Sequence, residues 1–200
     1  MNISERVTGR VLVTGASGFI GRHLVHRLLE SGADVHAVSQ KIRCDGLNVV
    51  RWRQADLADA STVHDLIASI RPDFIYHLAS HVAGGRDTAL VYPTFRSNLM
   101  GTVNLLTAAA EVGCWRMIIT GSLEEPDIGS GAVPCSPYAA AKSAGSAYAR
   151  MLHALYGLPV VILRLFMVYG PGQRDVRKLV PYVSHSLLDG EPPLLSNGAG

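Results

Sequence analysis

Tyr138 and Lys142 are the residues whose types and spacing point most directly to chemistry. They stand four apart in Tyr-Ala-Ala-Ala-Lys, within a stretch predicted to be helical over residues 138–156. Residues four apart on a helix project from one face, so the ammonium would lie beside the phenol. A free phenol titrates near pH ~10, and a nearby cation favours phenolate. The pair therefore predicts proton exchange with a substrate alcohol or ketone.

Ser122 and Glu124 follow a predicted strand at residues 117–120. A hydroxyl at this point can polarise a reacting oxygen as charge develops on it, although serine at a strand end is also typical of an ordinary turn. Glu124 is the weaker catalytic candidate, because an exposed glutamate is often only a solvated loop residue. Together with Tyr138 and Lys142, these residues form the predicted catalytic set.

A glycine-rich turn lies near the start of the chain, where residues 11–22 read Val-Leu-Val-Thr-Gly-Ala-Ser-Gly-Phe-Ile-Gly-Arg. The glycines follow a predicted buried strand and open an amphipathic helix. Glycine lets backbone N–H groups approach a pyrophosphate, and the helix N-terminus attracts that anion. The predicted phosphate-binding residues are Gly15, Ser17, Gly18, Phe19, Ile20 and Gly21.

Short apolar runs alternate with helical stretches along the whole chain. Strands are predicted at residues 11–13, 35–38, 49–53, 74–78, 117–120 and 160–166, and helices at 18–30, 62–70, 99–112, 138–156 and 176–188. This alternation predicts an α/β fold, a doubly wound parallel sheet of the Rossmann type. We expect a dinucleotide-binding domain over residues 1–175 and, over 176–200, the beginning of a small substrate-binding region that is cut short.

Composition narrows the function classes. The chain has 200 residues, 48% of them hydrophobic, and a formal net charge of +2 with scattered basic residues. A sizeable core and no basic stripe favour a globular protein that binds small molecules, not nucleic acid. Three widely spaced cysteines predict neither a disulfide framework nor a metal site. With no apolar leader and no membrane-length run, we expect no membrane association and a cytoplasmic location.

Several ordered motifs resemble the extended short-chain dehydrogenase/reductase family, which includes nucleotide-sugar epimerases, dehydratases and ketoreductases. These are TGASGFIG, Ala55-Asp56-Leu57, His77-Leu78-Ala79, Asn98-Leu-Met-Gly-Thr and RLFMVYGPG. The resemblance implies that Asp56, Leu57, Leu78 and Ala79 line the cofactor site, and that Tyr138 and Lys142 also contact the cofactor. It further implies a nucleotide-sugar substrate and a homodimer formed by the helices at 98–112 and 138–156.

The end of the second strand bears on the choice of cofactor. An acidic residue there usually holds the ribose 2′-hydroxyl of NAD. This chain instead has Ser39, Lys41 and Arg43. Because cations suit a 2′-phosphate, we expect NADP in preference to NAD, although lysine and arginine are also common as solvated surface charges.

The favoured function is reduction of the 4-keto group of a nucleotide-linked 6-deoxyhexose. Glu124 keeps open the alternative of a 4-epimerase or 4,6-dehydratase with tightly bound NAD, because it stands where the family's dehydratases carry a glutamate used in elimination. Leu123 departs from the aspartate that many of those dehydratases have before it. A non-catalytic dinucleotide-binding protein is the alternative of another class.

Overall fold

The computed structural model describes residues 7–41, 49–82 and 85–195, so Arg43 lies outside the described residues. Over these ranges the chain forms a parallel sheet of six strands in the order β3-β2-β1-β4-β5-β6. The doubly wound Rossmann fold predicted from the alternation is confirmed. The strands are β1 (Arg10–Thr14), β2 (Asp34–Ser39), β3 (Arg51–Gln54), β4 (Phe74–His77), β5 (Arg116–Ser122) and β6 (Val160–Leu165). The α-helices are α1 (Phe19–Glu30), α2 (Ala60–Ile70), α3 (Val91–Thr94), α4 (Gly101–Val112), α5 (Pro137–Tyr156) and α6 (Leu179–Leu188).

Helices cover both faces of the sheet. Val11, Leu12 and Val13 of β1 are fully buried, as expected of a strand that has helices above and below it. Their side chains alternate between two apolar clusters. One cluster includes residues of α2, α4 and α5, and the other includes residues of α1. The core therefore consists of two layers separated by the sheet.

The chain divides into two compact units, Met1–Phe166 and Met167–Gly200. The second unit contains α6, which begins after Lys178 instead of at the predicted residue 176. The predicted domain boundary after residue 175 remains a prediction. Within the described residues, no helix is long and apolar enough to span a bilayer, and no group of three or more histidine, cysteine or acidic side chains could hold a metal ion.

The chain is helical from residue 88 onwards, whereas the sequence pattern predicted a helix only from residue 99. The segment before α4 contains a 3-10 turn at Thr88–Leu90, α3, and a π-helical segment at Phe95–Met100 that leads directly into α4. The hydroxyls of Thr94 and Thr102 donate to the carbonyls of Leu90 and Asn98, each at 2.6 Å. Such bonds from threonine modify helix geometry without any apolar periodicity to announce them.

The glycine-rich turn is packed against backbone on two sides. Gly15 has φ +70°, and a Cβ atom on it would lie 2.6 Å from the amide nitrogen of Ala79, after β4. A Cβ atom on Gly21 would lie 2.2 Å from the carbonyl oxygen of Gly15. The turn therefore holds α1 against the strand ends only because these positions lack side chains.

We expect Gly21→Ala to lower the free energy of unfolding by roughly 1–3 kcal/mol, because the added methyl group overlaps rigid backbone. The matched control is Gly145→Ala in α5, where the new Cβ meets its nearest neighbour at 3.5 Å. The control is expected to be neutral or up to ~1 kcal/mol stabilising, since alanine is the better helix former. Urea unfolding of both variants measures the difference, and equal stability would contradict the packing described.

His77, at the end of β4, connects this strand to β1 and α4 by buried hydrogen bonds. Its Nδ1 lies 2.7 Å from Thr14 Oγ1, and its Nε2 lies 2.9 Å from Thr102 Oγ1. Because Thr102 donates its hydroxyl hydrogen to Asn98, it must accept from His77, so Nε2 carries the proton. Thr14 then donates to Nδ1 and accepts from the amide of Ala79 at 3.2 Å. Burial lowers the pKa of His77 from 6.5 to about 3, so the ring stays neutral.

This histidine should make the fold sensitive to acid. Below pH 6.5 the unfolded chain protonates His77 while the folded chain does not, so stability falls as the pH is lowered towards 3. Between pH 7 and 5 the loss is expected to be about 2 kcal/mol.

Chemical unfolding of His77→Gln across this range should show a shallower pH dependence, even though the variant is less stable at pH 7. His26→Gln, at an exposed side chain of α1, serves as the control and should keep the original slope. An unchanged slope in His77→Gln would show that another group carries the acid sensitivity.

Candidate active site

The predicted site residues gather at the carboxyl edge of the sheet, where β1 and β4 are neighbours and the strand order reverses. Ligands of open α/β sheets bind at such a crevice. The glycine-rich turn follows β1, Ser39 ends β2, Asp56 and Leu57 follow β3, and Leu78 and Ala79 follow β4. Ser122 is the last residue of β5, two residues beyond the predicted strand end.

The start of α1 fits an anion. Gly18 precedes the helix and provides no side-chain cap, and the first turn contains no acidic residue. Uncapped N–H groups at a helix N-terminus are free to bind a pyrophosphate. Phe19 and Ile20 lie in this first turn, with the Phe19 ring packed edge-on against His23 at 5.6 Å between centroids, while Ser17 is exposed in the turn itself. The predicted phosphate-binding residues thus form a continuous loop with the chemistry that a dinucleotide requires.

Tyr138 reaches the site from the first turn of α5. Ser136 caps this helix by accepting from the amide of Ala139 at 3.0 Å, and Pro137 occupies the first position, where its missing N–H costs nothing. Burial raises the pKa of the Tyr138 phenol, while the nearby hydroxyls of Ser122 and Ser80 partly oppose the rise. The phenol is consequently protonated at neutral pH in this structure.

Lys142 lies one turn further along α5 and is almost completely buried. Its Nζ donates to the Thr120 carbonyl oxygen at 2.8 Å, contacts Thr120 Oγ1 at 3.4 Å, and lies 5.9 Å from the centroid of the Tyr138 ring. Burial lowers the pKa of Lys142 from 10.5 to about 8, and the charge of Glu125 opposes the shift. An ammonium has three donors, so this arrangement leaves one for a ligand.

Ser122 is held by a neighbour that sequence reasoning missed. The buried carboxylate of Glu125 accepts from the amide of Ser122 at 2.6 Å. Arg164 donates from Nε to the Ser122 carbonyl at 3.2 Å and also contacts the carbonyl of Glu125. The glycine at position 121 was the sequence feature that hinted at this contact. A side chain there would collide with Glu125, because a Cβ atom on Gly121 would lie 2.5 Å from Glu125 Oε1. With its backbone secured on both sides, Ser122 presents its hydroxyl to Tyr138.

Glu124 points towards the N-terminus of α5. Its Oε2 accepts from the Ser136 hydroxyl at 3.1 Å, and its amide donates to Ser122 Oγ at 3.1 Å. Its negative charge contributes to the raised pKa of Tyr138, which places the carboxylate near the phenol. The structure therefore brings all four predicted catalytic residues into one neighbourhood.

Ser39, predicted to lie at the ribose, and Asp56, predicted to line the cofactor site, lie beside one another. Ser39 Oγ accepts from the amide of Lys41 at 3.3 Å. The Asp56 carboxylate is bonded to Arg96, to Gln40 and to the amide of Ala58. These hydrogen bonds hold the pKa of Asp56 below its usual value, and the one from the Ala58 amide has the largest effect. Sequence reasoning did not foresee the contact with Arg96, which comes from the unpredicted π-helical segment.

Known proteins match this chain over most of its length. It is 34% identical over 206 residues to a dTDP-glucose 4,6-dehydratase of Streptomyces niveus, covering 91% of this chain and 60% of the relative. It is 34% identical over 187 residues to a UDP-glucose 4-epimerase of Mycolicibacterium smegmatis, covering 82% of this chain and 58% of that relative. The chain thus spans about three fifths of the length of these curated relatives.

Solved structures show the same architecture. The Bordetella bronchiseptica enzyme WbmF in complex with NAD⁺ and UDP superposes with a TM-score of 0.81 at 28% identity, covering 98% of this chain and 64% of that one. The dTDP-glucose 4,6-dehydratase DesIV of Streptomyces venezuelae, with NAD and TYD bound, gives 0.77 at 32% identity, covering 96% and 66%. The profile of the NAD-dependent epimerase/dehydratase family matches residues 11–200. The glycine-rich turn, the parallel sheet and this match together show that the chain belongs to the NAD-dependent epimerase/dehydratase family.

Proposed function

We propose that this chain binds a nicotinamide dinucleotide and transfers hydride at C4 of a nucleotide-linked hexose. The observation that carries the proposal is the convergence of Ser122, Tyr138 and Lys142 beside the strand ends that would hold the cofactor. When bound, the nicotinamide ring supplies or accepts the hydride. The relatives' names, a glucose dehydratase and a glucose epimerase acting on nucleotide-linked sugars, support this substrate class.

Tyr138 moves the proton. In its protonated form the phenol donates to a keto oxygen, and as phenolate it removes the proton of a C4 hydroxyl. Lys142, with a pKa of about 8, carries its ammonium at pH 7 and stabilises phenolate when it forms. Ser122 Oγ accepts a hydrogen bond from the amide of Glu124, so its own hydroxyl hydrogen is available to the reacting oxygen. These three groups need no metal for either direction of proton transfer.

Reduction of a 4-keto-6-deoxyhexose is the first candidate reaction. The raised pKa of Tyr138 keeps a proton ready for a keto oxygen. Elimination across C5 and C6 would in addition need a proton donor for the leaving hydroxyl, and the exposed, apolar Leu123 provides none. Net reduction also requires an exchangeable cofactor. Ser39 and Lys41, at and just after the end of β2, favour NADP for this role, whereas NAD is the cofactor in the structures of WbmF and DesIV cited above.

Epimerisation or 4,6-dehydration with tightly held NAD is the second candidate. Glu124 favours it, because a carboxylate near Tyr138 is the kind of base that removes the C5 proton in an elimination. Its hydrogen bond from Ser136 holds it in place without consuming its capacity to accept a proton.

Product analysis separates the two candidates, and Tyr138→Phe tests the shared mechanism. A reductase consumes NADPH or NADH with a dTDP-4-keto-6-deoxyhexose, whereas an epimerase or dehydratase converts dTDP-glucose or UDP-glucose without added reductant. In either case Tyr138→Phe is expected to lower kcat by roughly 10²–10⁴-fold, the usual contribution of general acid–base catalysis.

The matched control is Tyr156→Phe, which makes the same change at an exposed position at the end of the same helix and should keep full activity. Calorimetric titration of both variants with NAD⁺ and NADP⁺ shows whether the cofactor still binds. Equal activity of Tyr138→Phe and the unmodified chain would contradict the catalytic assignment. Binding of neither dinucleotide to the unmodified chain would contradict the proposed function as a whole.

We also propose a homodimer formed through α5 and its neighbouring helix. Ala109 of α4 and Ala139 of α5 are fully buried within the unit, so they are not available to a partner. The exposed large apolar side chains on α5 are Tyr148, Met151, Leu155 and Tyr156, and the spacing of three and four among the first three places them on one stripe. An apolar stripe of this kind is typical of a helix that packs against a partner.

Sedimentation velocity of the unmodified chain should show a dimer, because burying this stripe removes apolar surface from water. Met151→Glu places a charge in the middle of the stripe and should shift the protein to monomer. Arg150→Glu, at the neighbouring exposed position, is the control and should remain dimeric. A monomeric unmodified chain would contradict the proposal.

A further inference from the structure

Arg96 and Asp56 form an ion pair that joins distant parts of the chain. The guanidinium of Arg96, in the π-helical segment, contacts Asp56 Oδ2 just after β3. The other carboxylate oxygen accepts from the amide of Ala58 at 3.0 Å and from Gln40 Nε2 at 3.3 Å. These bonds keep the carboxylate ionised, with its charge opposed by one cation.

Gln40 connects this pair to the point where a ribose would be read. It directly follows Ser39, the last residue of β2, and the end of β2 is where dinucleotide-binding folds distinguish a 2′-hydroxyl from a 2′-phosphate. The Asp56 carboxylate is thus connected to that point through the side chain of Gln40. An unopposed carboxylate there would repel a 2′-phosphate, which carries close to two negative charges at neutral pH.

Arg96 changes the charge balance at this point. With Asp56 neutralised by Arg96, the remaining charge among the residues just named and their neighbour Lys41 is positive. Without Arg96, the charges of Asp56 and Lys41 would cancel instead. Arg96 is half-exposed, so the pair itself adds little to stability, and its main consequence is electrostatic.

We propose that Arg96 determines how the chain discriminates between NADP and NAD, by neutralising the Asp56 carboxylate beside the end of β2. This inference rests on the proposed binding of a nicotinamide dinucleotide. It adds a specificity-determining residue that lies in neither the glycine-rich turn nor the strand end usually inspected for this purpose.

The first test is calorimetric titration of Arg96→Met with NADP⁺ and with NAD⁺. The ratio of the two dissociation constants, NADP⁺ over NAD⁺, should rise roughly 5–20-fold, because an uncompensated carboxylate penalises only the cofactor with a 2′-phosphate. The control is Arg27→Met, which removes the same charge from the exposed face of α1, where Arg27 pairs with Glu30. This control should leave the ratio unchanged within twofold.

The second test asks whether Arg96 acts through Asp56. In the double variant Asp56→Asn/Arg96→Met both charges are absent, so the ratio should return to within threefold of that of the unmodified chain. Contacts with adenine cancel in the ratio, since both cofactors contain adenine. If Arg96 had a purely structural role, Arg96→Met would weaken the binding of both cofactors equally, and the ratio of their dissociation constants would not change.

The possible failures are distinguishable. If the unmodified chain binds neither dinucleotide, the proposed function fails and this inference fails with it. If both dinucleotides bind and Arg96→Met leaves their ratio unchanged, only the inference is overturned. If the ratio rises in Arg96→Met but the double variant does not restore it, neutralisation of Asp56 is overturned as the mechanism.

Discussion

The buried hydrogen bonds of His77 are the interaction on which the candidate site depends most. The ring joins Thr14, the residue before the glycine-rich turn, to Thr102 in α4. The backbone carbonyl of the same histidine accepts from Thr120 Oγ1 at 3.2 Å, and Thr120 in turn holds Lys142. One residue therefore fixes the glycine-rich turn and Lys142 relative to each other. Because His77 and the two threonines that its ring contacts are buried and paired with one another, displacing one leaves the others unsatisfied.

The electrostatics of Tyr138 and Lys142 make the site responsive to a ligand. Burial raises the pKa of the phenol and lowers that of the ammonium, so burial favours the neutral form of each group. A positively charged nicotinamide beside them would lower the pKa of the phenol, whereas an uncharged reduced ring would not. In the proposed function, the protonation state of Tyr138 would thereby be coupled to the oxidation state of the cofactor, as suits a reaction that moves a hydride and a proton together.

The loop after β5 has the composition of a flexible loop but is anchored where it leaves the strand. Residues 124–137 are rich in glycine, proline and serine, yet the start of the loop is secured by Glu125 and Arg164. The side chains of Glu125 and Arg164 hold the backbone of Ser122. The position of the hydroxyl that faces Tyr138 therefore does not depend on the conformational preference of the loop. Rigid support of this kind is what keeps a catalytic group within reach of its partner.

The sequence by itself determined the alternation of strands and helices, the glycine-rich turn and the Tyr138–Lys142 pair, because each depends on residues close together in the chain. Apolar periodicity, turn chemistry and helical spacing are local properties that can be counted directly. Only the tertiary structure decided that Arg164 supports Ser122, that His77 bridges two threonines, and that Arg96 meets Asp56. These partners include residues 25 to 63 positions apart, such as His77 with Thr102 and Thr14. Their side chains meet because parallel strands with right-handed crossovers bring their carboxyl ends to one edge, and no local pattern records which charges or hydroxyls will face each other there.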